Sequence, residues 1–134
     1  MWWRVLCVIQ FCGLLAIYTY LGLTPHPEKS VPMFNDLLMH FSGYIVAAVS
    51  ISFAFPSWAF LQRAIFLVTY SFLIELGQHF NPPRTFSLAD MLANSSGVIL
   101  GLCVIFILAK YVTLFAKLLY WKTNLNNTII TPNS

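Results

Sequence analysis

Asp36 and His40 place a carboxylate and an imidazole one helical turn apart, and the chain writes the segment that carries them twice. Asp36-Leu-Leu-Met-His40-Phe-Ser-Gly43 recurs 54 residues later as Asp90-Met-Leu-Ala-Asn94-Ser-Ser-Gly97, with four of the eight positions identical and two more similar. Between the copies stand Glu75, Gln78 and His79, followed by Arg84. A carboxylate that orients an imidazole can pass protons, and a guanidinium can hold a phosphate or carboxylate. Asp36, His40 and Glu75 are therefore the candidate catalytic residues, and Gln78, Arg84, Asp90 and Asn94 the candidate ligand-binding ones. Asp36, Asp90, Glu75 and His40 also offer donors to a divalent metal, but no ligand spacing requires one, and neither a metal nor a cofactor is expected. No Ser or Cys nucleophile signature accompanies them.

The elements that must position these groups are membrane helices. A soluble domain carries about a quarter charged residues; this chain of 134 residues carries 8%, with 59% hydrophobic. The basic residues lie scattered, so the small positive charge does not point to nucleic acid. Cys7, Cys12 and Cys103 lie inside apolar segments with no CxxC pair and no zinc spacing, and read as buried apolar thiols. Arg4 followed by an apolar stretch resembles a signal peptide, but the stretch is long enough to span and no small-x-small cleavage site follows, so an uncleaved helix is expected.

A bilayer core needs about 20 helical residues, and four segments qualify: 3–23, 36–55, 58–80 and 88–109. Pro25 and Pro32 bracket the first loop, Pro56-Ser57 ends the second span, and Pro82-Pro83 stops the third. Ser87-Leu-Ala-Asp90 fits a capping box at the start of the fourth. An interfacial extension, 110–122, carries Lys110 and Lys117 seven residues apart on one face. The expected fold is an all-α membrane protein with one domain over residues 1–122 and a disordered cytoplasmic tail over 123–134.

Arg4, Arg63, Lys110, Lys117 and Lys122 fall on one side of such a four-span chain, and Lys29 and Arg84 on the other. This bias predicts cytoplasmic termini. All four acids and all three histidines then lie at the outer face. Asp36, His40, Gly43 and Ala47 form one stripe on the second span, and Asp90, Asn94, Gly97 and Gly101 the matching stripe on the fourth. Both spans run outside to inside. A parallel two-helix repeat is thus predicted, with the stripes facing each other and Asp36 and Asp90 across a shared cleft.

Plainer roles compete. Asp36 and Asp90 sit in first turns, where the helix dipole favours an acid. The glycines suit close helix packing, Gln78 a bridge between helices, and His79 a solvated interface. Glu75 is harder to explain so, because an ionisable group inside a span is costly and marks a function or a deliberate pair. His40 and Arg84 are its expected partners.

Asp36-x-x-x-His40, Glu75-x-x-Gln78, Arg84 and Asp90-x-x-x-Asn94-x-x-Gly97, spread over three helices and a loop, resemble the VanZ-like family of small membrane proteins. The resemblance covers about residues 36–101. It implies a multi-pass protein of the bacterial cytoplasmic (inner) membrane, in a family named after a member associated with low-level teicoplanin resistance. It brings no mechanism. The family often has Gly before the loop Arg, where this chain has Pro83, which stiffens the loop and argues against backbone N–H binding of an anion there.

Three readings follow. The first is a protein that binds or modifies a cell-envelope lipid head group or lipid-linked precursor, with Arg84 on its phosphate or carboxylate. The second is an acid/base enzyme on such lipids, worked by Glu75, His40 and Asp36. The third is a structural or assembly protein clamped by the same polar pairs. Membrane lipids are the expected partners. No span is broken at mid-membrane, which argues against transport, and the sequence sets no oligomeric state.

Overall fold

Proline and buried arginine set the helix ends. The computed structural model describes residues 2–25 and 36–120. Within them α1 spans Trp2–Leu23, α2 Asp36–Ala54, α3 Phe60–His79, α4 Leu88–Tyr111 and α5 Thr113–Leu119. The first four are long and apolar enough to cross a membrane, and no strand occurs among the described residues. Lys29 and Pro32 of the first loop, Lys122 and the 123–134 tail lie outside the described residues.

α2 stops two residues before Pro56, which leaves its last carbonyls without helical partners. Two guanidinium groups fill that place. Arg63 of α3 donates to the Phe55 and Pro56 carbonyls at 3.3 and 2.8 Å and to Ser52 Oγ at 3.4 Å. Arg4 of α1 donates to the Phe53 carbonyl at 2.8 Å and to the Leu119 carbonyl of α5. Both cations sit where a helix C-terminus favours positive charge.

The expected extension is a separate helix. Val112 adopts an extended conformation between α4 and α5, so Lys110 and Lys117 stand on different helices and the seven-residue spacing no longer places them on one face. α5 folds back on the bundle, with Phe115 edge-on to Phe53 at 5.3 Å and Leu119 buried.

The α2–α4 interface is the most extensive in the bundle. Its register follows the repeat. His40 meets Asn94, its own counterpart 54 residues on. Further along, Gly97 sits against Phe41 and Tyr44, and Gly101 against Ile45 and Ala48. Contacts that advance together along both chains mean that the helices run parallel. Ala48 is fully buried in this seam. The glycines, however, do not oppose one another. Gly97 touches the α2 backbone, whereas Gly43 turns to α1, its carbonyl accepting from Tyr18 Oη at 2.8 Å. One glycine gives the close approach of α2 and α4, and the other leaves room for a tyrosine ring.

α1 is the least buried span. It is tied down by Ser50 Oγ donating to Gln10 Oε1 at 2.6 Å and Tyr70 Oη donating to the Leu15 carbonyl at 2.9 Å. Of the thiols, Cys7 is in the core, but Cys12 and Cys103 are on the outer surface of the helices. A small apolar thiol suits a lipid-facing surface as well as a core, so composition alone misplaces these two.

Candidate functional site

The polar groups gather at the end of the bundle where α2 and α4 begin and α3 ends. Asn94 organises them. It is 2% exposed and donates through Nδ2 to Ser71 Oγ of α3 at 2.7 Å. That fixes its carbonyl oxygen toward α2, where it meets His40 Nδ1 at 3.0 Å. An acceptor at this position calls for a proton on Nδ1. Nε2 therefore faces the opposite way, to Asp36 Oδ1 at 3.8 Å and Asp90 Oδ2 at 3.9 Å. Both distances exceed a hydrogen bond. The Asp36 side chain is 67% exposed, against 18% for His40 and 13% for Asp90, so the group opens outward on the Asp36 side.

Glu75 has no exposed surface at all. Its Oε2 accepts the Ser87 backbone N–H at 3.3 Å, and its Oε1 has no hydrogen-bond partner among the described residues. This corrects the capping box. Ser87 Oγ does accept the Asp90 N–H, at 3.2 Å, but the return bond to the Ser87 N–H comes from Glu75 of α3. The reason is local. A buried carboxylate needs a donor, and the N–H of Ser87, the residue that caps α4, is beside it. Asp90 is thereby released from capping and turns to His40.

The pairing expected of Glu75 also differs. Among the described residues, neither Arg84 nor His40 makes an ion pair with it within 4.0 Å. Arg84 is half-buried at the end of the turn that Pro82 and Pro83 shape, its N–H donating to the Asn81 carbonyl at 3.0 Å. Its Nε is buried with no hydrogen-bond partner among the described residues.

Gln78 is buried, and its Nε2 donates to the Gly22 carbonyl at the end of α1 at 3.0 Å. It links two helices, as its plainer reading has it. His79 is exposed and stacks edge-on to Phe80. Asp36, His40, Asp90, Asn94, Glu75 and Arg84 thus share one end of the bundle, while Gln78 holds that end to α1. Ser71 was absent from the candidates. Its position one turn before Glu75, on the stripe that Leu67 and Gln78 continue, is the signal that could have found it.

A model of the VanZ/LLP1 family matches residues 38–110. The chain belongs to the VanZ/LLP1 family. No curated protein and no solved structure gives a significant match. The VanZ/LLP1 match covers α2 from its first turn, all of α3 and nearly all of α4. His40, Ser71, Glu75, Arg84, Asp90 and Asn94 fall inside it; Asp36 lies two residues before it. With four helices fit to span, this VanZ/LLP1 chain is a multi-pass membrane protein.

Proposed function

We propose that the polar end of the bundle binds the phosphate-bearing head group of a cell-envelope lipid or lipid-linked precursor at the outer face of the bacterial cytoplasmic membrane. The observation that carries this reading is a pair of buried atoms without partners among the described residues: Arg84 Nε and Glu75 Oε1. A buried donor on a permanent cation and a buried acceptor at the same end of the bundle, not bonded to each other, suit a ligand that meets both. Asp36 and Asp90 face the hydroxyl or amine groups of such a ligand. The clustering of Arg4 and Arg63 at the opposite end of the bundle supports an outward-facing site. Teicoplanin resistance fits as a consequence of altered envelope lipids.

An acid/base reaction on the same ligand is the second reading. It is favoured by the free Oε1 of Glu75 and by the unbonded Nε2 of His40, which could take and deliver a proton.

The test uses the full chain in nanodiscs doped with a polyprenyl phosphate. Arg84→Ala should weaken binding by about 10- to 100-fold, the loss of a charge-assisted contact of about 1.5–3 kcal/mol. Its melting temperature should stay near that of the parent. Arg84→Lys should recover part of the affinity. Glu75→Gln should fold normally, because an amide oxygen still accepts the Ser87 N–H, and should alter binding or abolish turnover. Equal lipid binding by Arg84→Ala and the parent would overturn the head-group reading. Loss of inserted protein in Glu75→Gln would mark a structural clamp instead.

A further inference from the structure

We infer that Asp36, His40 and Asp90 form a divalent-cation site, and that the bound cation bridges the protein to the phosphate of its ligand. The three side chains offer two carboxylate oxygens and one imidazole nitrogen, all within 4.8 Å of one another. Metal bonds to such atoms are about 2.0–2.2 Å long, so two ligands of one ion stand up to about 4.4 Å apart. A small rotation of the exposed Asp36 side chain closes the triad. Three protein ligands leave positions open for water or a phosphate oxygen, the arrangement of a working rather than a purely structural metal site.

The surroundings supply what a metal-binding imidazole needs. His40 Nδ1 is held by Asn94, and Asn94 by Ser71. This outer shell fixes the ring and leaves Nε2 as the outward-facing nitrogen. The second, independent observation is Glu75. Fully buried, and with Oε1 unpartnered among the described residues, it is held beside Asp90: its Oε2 accepts the N–H of Ser87, whose Oγ in turn accepts the Asp90 N–H. Among the described residues, three carboxylates stand here against the single guanidinium of Arg84. A phosphate would meet a surplus of like charge unless a cation intervenes. Two hard oxygens with one imidazole suit Mn²⁺ or Zn²⁺.

The bridging role rests on the head-group reading above; cation capture does not, so the first measurement uses the metal alone. Tag-free full chain in nanodiscs of phosphatidylcholine is titrated with Mn²⁺, followed by the EPR signal of the free ion, and separately with Zn²⁺ by calorimetry. One saturable site per chain is expected for at least one of the two. Asp90→Asn should weaken it at least tenfold, and so should Asp36→Asn, an exposed change that leaves the fold intact. Absence of saturable binding of both ions would overturn the proposal, as would parent-like binding in both variants. Polyprenyl phosphate is then added with and without the cation. Affinity that rises with the cation supports the bridge; affinity that ignores it removes the bridge and leaves capture standing.

Discussion

Gly97→Ala should unseat α4 from α2 and lower the unfolding free energy by about 3 kcal/mol or more. A Cβ at this position would lie 2.2 Å from the Phe41 carbonyl oxygen and 3.1 Å from its carbon. Both atoms are backbone, so no side chain can swing away; the helices themselves must part. The same holds at Gly101, where a Cβ meets Ala48 Cβ at 2.7 Å and the Ile45 carbonyl at 2.8 Å. Gly43→Ala is much milder, because its nearest neighbour is the Tyr18 hydroxyl at 3.4 Å. Gly13 has nothing within 4 Å, and alanine there should be neutral or stabilising by up to about 1 kcal/mol. Unfolding of the four variants in detergent, with size-exclusion profiles, checks the ranking. Parent-like stability of Gly97→Ala would contradict the observed α2–α4 register.

Asn94→Ala carries the second large effect. Asn94 joins three helices, since it accepts from His40 of α2 and donates to Ser71 of α3. Interhelical hydrogen bonds in membranes average about 0.6 kcal/mol and reach about 1.7 kcal/mol. Two such bonds, with a buried donor and acceptor left behind, predict a loss of about 1–3 kcal/mol. A double-mutant cycle with Ser71→Ala should show positive coupling, and a second cycle with His40→Ala should show the same. Asn94→Ala should also loosen the His40 ring and weaken ligand binding even where the protein stays folded. Additive losses in both cycles would mean that the three groups do not act as a unit.

Much of this architecture is legible in the sequence, for reasons that can be traced. Proline placement and apolar length give four spans within a few residues of those observed, because a helix cannot run through Pro56 or Pro82-Pro83. The meeting of His40 with Asn94 is legible because a repeat offset that equals the packing offset brings equivalent positions together. Three features are not. The Ser87–Asp90 box is a local pattern, and nothing local reveals that Glu75, twelve residues earlier, takes half of it. Gly43 and Gly97 are identical in motif but face different neighbours, since α1 offers Tyr18 to one and α2 offers bare backbone to the other. The break at Val112 leaves no proline or glycine to mark it.

The hold of Arg4 on α5 has a consequence for how the protein is made. Arg4 and Trp3 donate to the carbonyls of Leu119 and Leu118, in each case 115 residues further along the chain. At a synthesis rate of about 5–20 residues per second, that separation is roughly 6–23 s. Throughout that interval the guanidinium of the first span waits at the membrane surface with this acceptor still unmade. α1 is thus fastened in two stages: its bonds to Phe53, Ser50 and Tyr70 form with α2 and α3, and the bonds to Leu118 and Leu119 close only once α5 is made.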